Sequence, residues 1–216
     1  LAAFIRSILL MISKTNILFL ATVLFLSVSV KAQDKILFLN GKIMEGSLIE
    51  KTNYEFTFKD KKEREFVIDK YRVFSYTQNN IESIVYEFDT LSGNFLKVND
   101  MKMFVYGERD AHETYQPKFS NAVGLLAGIT GGFLMQRDES FLYVATPLIY
   151  TPITLLFPTR VKQKKLTEIK YLKEDEYLRG YERIARAKRT QGALKTSLVG
   201  MGVGFLIGII ANGNNE

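Results

Sequence analysis

Residues 198–208 read LVGMGVGFLIG, eleven residues with no charge and four glycines. Gly200, Gly204 and Gly208 recur every four residues, Gly192 and Thr196 extend that row, and Gly124, Gly128 and Gly132 repeat the spacing upstream. At 3.6 residues per turn, a step of four keeps one helix face nearly flat. In water each helical glycine costs about 1 kcal/mol relative to alanine. In a bilayer the backbone must bond internally in any case, and small side chains allow helices to approach closely. The rows therefore predict packing grooves between membrane helices, facing each other within one chain or facing a second copy. A phosphate-loop reading fails, because no lysine follows GVGFLIG and no strand precedes it.

Three apolar segments carry or neighbour these glycines: 119–135, 141–158 and 196–211. At 16–18 residues each, they are short against the roughly 20 that a span requires. The first two, joined by QRDES, predict an apolar helical hairpin over 119–158. Pro147, Pro152 and Pro158 in the second predict a kinked helix or a re-entrant turn.

The N-terminus carries an export pattern. Lys14 precedes the apolar run Ile17–Leu26, and Val30-Lys31-Ala32 precedes Gln33. Residues 1–32 are read as a signal peptide, with Met11 as its start and cleavage after Ala32; the alternative is an uncleaved anchor. Either places residues 34 onward outside the cytoplasm of a bacterial cell. The chain has no cysteine, which excludes disulfides, thiolate metal sites and a lipid-modified N-terminal cysteine.

Residues 34–90 predict a small all-β module. Asn40-Gly41 suits a type I′ turn between strands at about 35–39 and 42–50. NYEFTF alternates, and EREFVID, YRVFSYT and IESIVYEF follow at hairpin spacing. Such a module is expected to form a small barrel, SH3-like or Sm-like, or a rolled sheet. Its aromatics, Tyr54, Phe56, Phe58, Tyr71, Phe74 and Tyr76, fit core and cross-strand packing better than a ligand platform. The export signal argues against nucleic acid as a partner. Residues 97–117 predict an amphipathic helix, with Met101, Phe104 and Val105 on its apolar face and Pro117 at its end. Glu108, Asp110, His112 and Glu113 near that end suggest metal ligands, but His112 is the chain's sole histidine and no second ligand pair is evident. They are read as a solvated or headgroup-facing helix end, with no metal and no cofactor.

The basic excess is local. Residues 159–195 hold 12 basic and 5 acidic residues, whereas 34–118 hold 13 and 15. EDEYLRGYERIARAKR within the basic segment predicts a helix with its acids first. Arg160, Lys162, Lys164, Lys165, Lys188 and Arg189 are the candidates for contact with anionic headgroups, with membrane lipids as the expected partners; the alternative is an ordinary charged linker helix. A hairpin over 119–158 puts 34–118 and 159–195 on one face, which the signal places outside. The positive-inside rule prefers the opposite for the basic segment.

The expected class is therefore α+β: a small barrel-like module followed by a membrane-embedded region of about three short apolar helices, the last over 196–211. The motifs Gly107-Glu108-x-Asp110-Ala111 and Tyr177-x-x-Gly180-Tyr181, with the apolar glycine-rich runs between and after them, resemble uncharacterised envelope proteins of Bacteroidetes-type bacteria over residues 88–210. In that group a signal ending in Ala-Gln, as at Ala32-Gln33, is common. The resemblance implies an envelope location and no activity. No nucleophile–base pair or catalytic residue is recognised. The expected role is a non-enzymatic scaffold or assembly factor, acting with itself or another envelope protein. The alternative is a subunit of a small oligomeric pore or transporter.

Overall fold

The computed structural model describes residues 33–159, 161 and 166–213. The signal peptide read in residues 1–32, and Arg160, Lys162, Lys164 and Lys165 among the expected headgroup contacts, lie outside the described residues.

Six strands form one antiparallel sheet: β1 (Asp34–Phe38), β2 (Ile43–Lys51), β3 (Glu55–Asp60), β4 (Glu65–Asp69), β5 (Val73–Gln78) and β6 (Ile81–Ile84), in the order β4-β3-β2-β1-β5-β6. Turn chemistry sets the hairpins. Between β1 and β2 only Gly41 has positive φ (+70°), and its N–H donates to Phe38 O at 3.0 Å. This is a three-residue loop ending in a left-handed glycine, so the expected type I′ turn is corrected. The pair with positive φ at both positions is Asn79-Asn80, between the partnered Gln78 and Ile81.

The sheet curls. Ile36, Phe56, Phe58, Ile68, Val73 and Val85 form one core on its concave face. The Phe56 and Tyr76 rings lie 5.5 Å apart although β2 and β1 separate their strands. Of the two expected forms, a closed barrel is not seen: the sheet is open, with β4 and β6 as its edges. β6 stops after four residues, where the N–H groups of Val85 and Tyr86 both donate to Phe74 O and the chain departs. Of the six aromatics, Phe56, Phe58 and Phe74 are buried, Tyr76 is half-buried, and Tyr54 and Tyr71 are exposed.

Leu37, Phe74 and Tyr86 point to the other face, as strand alternation requires. There they meet Val105, Tyr106 and Tyr177 of the helical layer. That layer contains α1 (Val98–Thr114), α2 (Lys118–Arg137), α3 (Thr146–Ile153) and α4 (Asp175–Gly213), with 3-10 turns at Phe141–Ala145, Thr154–Leu156 and Ile169–Lys173. The expected basic helix and C-terminal apolar helix are one element. No proline interrupts the 39 residues of α4, which span about 58 Å at ~1.5 Å per residue.

Pro117 breaks the chain between α1 and α2, and the two pack in succession along α4. Gly107 lies against Tyr177 and Tyr181, Gly128 against Ser197 and Met201, and Gly132 against Met201 and Phe205. The numbers rise together, so α1 and α2 both run parallel to α4. Helical elements occur in all three segments expected to be apolar helices, but the third is the end of a longer helix. Among the described residues one helix, α4 over Asp175–Asn212, is long and apolar enough to cross a membrane. Residues 141–158 return the chain as 3-10 turns around the eight-residue α3, whose Pro147 and Pro152 do not sustain a long helix.

Candidate functional site

The first constellation is the α2–α4 interface. A methyl group added to Gly128 or Gly132 would overlap the carbonyl oxygen of Ser197 or Met201 respectively. On the opposing side, Gly200 and Gly204 lie against the carbonyls of Leu125 and Ile129, and Gly208 against the Gln136 side chain. Gly124 completes the row: its added methyl would sit 2.7 Å from Thr196 Oγ1 and 3.0 Å from Ala193 O. The six glycines singled out by spacing thus meet across one pair of helices. Gly202 stands apart, with nothing within 4 Å of its missing Cβ.

The large apolar side chains of these helices face outward. Phe119 is 81 % exposed, Leu126 63 %, Val199 63 %, Leu206 59 % and Ile210 66 %. Only 28 % of the most apolar 18-residue window of α4 is buried. Small residues inside and large apolar ones outside invert the order of a water-soluble core.

A layer of cations marks the end of this arrangement. Arg189 is 6 % exposed. It donates to Thr154 O (3.1 Å), Phe157 O (2.5 Å) and Pro158 O (3.4 Å), and also to Tyr115 Oη (3.0 Å) and Thr159 Oγ1 (3.2 Å). Those carbonyls close the α3 segment, and the fixed fork of guanidinium donors suits such a convergent set. Lys188 Nζ donates to His112 O at 2.6 Å, and to Ala111 O and Tyr115 O at 3.3 Å, at the C-terminal end of α1. Both residues were expected at headgroups. Arg189 is instead turned inward, and the Nζ of Lys188 is engaged, because unbonded helix-terminal carbonyls are strong acceptors.

The second constellation joins the two recognised motifs. Gly107 lies against the Tyr177 carbonyl and Gly180 against the Phe104 carbonyl, which brings α1 and α4 into backbone contact. Asp110, 1 % exposed, then receives Tyr177 Oη–H at 2.8 Å on Oδ2, the Thr167 N–H on Oδ2, and the Thr167 hydroxyl and two Arg109 donors on Oδ1. Every face of this carboxylate is taken, so it anchors the segment before α4 rather than offering a reactive group.

Glu108 is also buried and is held by Arg183 Nη1 at 3.0 Å on Oε1, while Oε2 has no hydrogen-bond partner. Burial outweighs Arg183 and raises its carboxyl to about 7. One turn on, His112 Nε2 lies 3.2 Å from Asn40 O, and burial lowers its imidazole below the ordinary value. The solvated-end reading of Glu108 and Asp110 is thus corrected. Their helix end is roofed by the Asn40-Gly41 turn, since an added methyl on Gly41 would lie 2.5 Å from Glu108 Cβ. A sequence signal did exist: Gly107 and Gly180 each flank the acids or tyrosines that meet. Among the described residues no group of three His, Cys, Asp or Glu side chains could hold a metal ion.

No protein-family model matches this chain, and neither a curated protein nor a solved structure does.

Proposed function

We propose that this chain is a non-enzymatic membrane protein of a bacterial cell envelope. In this reading α2, α3 and the second half of α4 sit in the bilayer, and the sheet, α1 and the first half of α4 stand outside the cytoplasm as a scaffold or assembly platform. One observation carries it: the inverted helices, with glycines inward and Phe119, Leu126, Val199, Leu206 and Ile210 outward. Soluble monomers rarely expose apolar patches above a few hundred Å², whereas in lipid such an exterior costs nothing.

The scaffold role draws support from Asp110 of the α1 motif, both of whose oxygens are taken by structural partners. The rival pore subunit would need its glycine rows free for neighbouring copies, and both rows are filled within the chain.

The test uses single cysteines in this cysteine-free chain. Leu91→Cys, at a position 97 % exposed, and Ala187→Cys should react with an impermeant maleimide added to intact cells. Glu139→Cys, at the far tip between α2 and α3, should react only after permeabilisation. Extraction of the protein from membranes by alkaline carbonate would defeat the membrane reading. Labelling of Glu139→Cys alone in intact cells would invert the topology.

A further inference from the structure

Where Pro117 parts α1 from α2, the wall of α4 is left uncovered, and a cavity of about 440 Å³ opens. Its lining includes Lys118 from the first turn of α2, Lys188 and Lys195 from α4, and Gln191 and Gly192 between them. No acidic residue lines it, and none of the three lysines has a carboxylate within 4 Å among the described residues. Two exposed lysines, Lys118 and Lys195, thus face one concavity with no carboxylate partner, beside a third cation that is already hydrogen-bonded. Lys188 has its Nζ committed to α1 carbonyls, so it contributes charge, while the exposed Lys118 and Lys195 are free to close on a ligand. The N-terminal end of the 20-residue α2 adds its partial positive charge to the same wall.

Position narrows the chemistry. Lys118 is followed by the exposed Phe119, and Lys195 is followed within one turn by the exposed Leu198 and Val199. The cavity therefore lies where the charged surface gives way to the apolar one. We propose that it binds the phosphodiester of an anionic glycerophospholipid, with the acyl chains running along the apolar exterior of α2 and α4. The inference rests on the membrane reading above. A lipid so held would fasten the α1–α2 break to the middle of α4, at the level that links the exported part to its anchor.

The experiment reconstitutes the full chain into nanodiscs of phosphatidylcholine with increasing phosphatidylglycerol, and reads thermal stability and lipid retained in native mass spectrometry. Wild type should show saturable stabilisation and retain phosphatidylglycerol. Lys118→Gln with Lys195→Gln should weaken this by about tenfold or more, given ~1 kcal/mol per basic residue at an anionic surface. Lys61→Gln with Lys62→Gln, on the β3–β4 turn, removes the same charge and should leave it intact. Equal losses in both double variants would overturn the site in favour of diffuse surface charge. Equal stabilisation by inorganic phosphate in phosphatidylcholine discs, lost in the first variant, would overturn the lipid as its occupant. Stable insertion with no preference for phosphatidylglycerol would overturn the site and leave the membrane reading standing; failure to insert would overturn both.

Discussion

Two glycines in α4, two residues apart, allow the packing argument to be tested against helix propensity. Gly204 lies against α2: an added methyl would overlap Ile129 O and would sit 2.7 and 2.8 Å from Ile129 C and Cα. Gly202 faces open space. Replacing either by alanine gains the same intrinsic helix propensity, about 1 kcal/mol in water and less in lipid. Only the Gly204 change demands room. Ordinary contact begins near 3.4 Å, so α2 must retreat by more than half an ångström at a point of backbone contact. Such a gap forfeits a substantial part of the dispersion energy of the atoms it separates, and overpacking costs typically ~1–3 kcal/mol. Gly202→Ala should therefore match or exceed wild type, and, because the propensity gain is common to both, Gly204→Ala should fall below Gly202→Ala by the overpacking cost alone, about 1–3 kcal/mol. For a chain of this size that is a gap of roughly 2–12 °C in melting temperature. The assay is thermal unfolding of the detergent-solubilised protein, followed by circular dichroism at 222 nm. Equal melting temperatures for the two variants, or a higher one for Gly204→Ala, would refute the packing groove.

Further outcomes follow from the polar constellations. Glu108 binds its proton more tightly folded (about 7) than unfolded (4.5), so stability should decline as pH rises, by roughly 2–3 kcal/mol between pH 5 and 8. Glu108→Gln should remove that decline and be the more stable protein at pH 8, and parallel pH profiles in urea melts would contradict this. His112 acts in the opposite sense, because its lowered value makes stability rise with pH up to about 6.5; it stays in both proteins and cancels in their difference. Arg189→Met should cost about 3 kcal/mol or more by stranding the Thr154, Phe157 and Pro158 carbonyls. Arg189→Lys should recover little, since one ammonium cannot reproduce the fork; full recovery in thermal melts would show that charge alone suffices. Tyr177→Phe should lose ~1.5–3 kcal/mol with the hydrogen bond to Asp110 and expose the 166–173 segment to proteolysis, and an unchanged cleavage rate would show the anchor to be dispensable.

Several elements were legible because one local rule governs each. The strands of 34–84 follow from alternation and turn residues, and the glycine rows from a four-residue period. The boundary supposed near residue 196 was not legible, because polarity changes there while the helix does not. Asp175 to Gly213 contains nothing that ends a helix, and composition was mistaken for structure. Barrel closure also depends on an edge-to-edge contact that no local pattern reports. The buried acids were misread for a related reason. Glu108 and Asp110 carry charge, so periodicity assigns them to solvent, but their partners lie 57 to 75 residues away at Thr167, Tyr177 and Arg183. The glycines at 41, 107 and 180 were the available clue, since each marks a place where a second backbone passes too closely for a side chain.

The same geometry bears on the basic excess of residues 159–195. Some of that charge is spent inside the protein: Arg183 lies against Glu108, Arg189 closes the α3 segment, and Lys188 holds the last carbonyls of α1. These cations answer internal acceptors, so they do not behave as the free charges that orient a membrane loop. α1 packs along the first half of α4 and α2 along its second half, both parallel to it. Residues 34–114 and 175–189 therefore stand at one end of the apolar helices. The parallel course of α2 and α4 also requires the intervening chain to travel back along the apolar layer. The short α3 with its flanking 3-10 turns makes that return, and it ends at the carbonyls that Arg189 gathers. An arginine deep in a polar–apolar boundary is thus the point where three passes of the chain are fastened, through Tyr115 just before Pro117 parts α1 from α2 and through the carbonyls of 154–158.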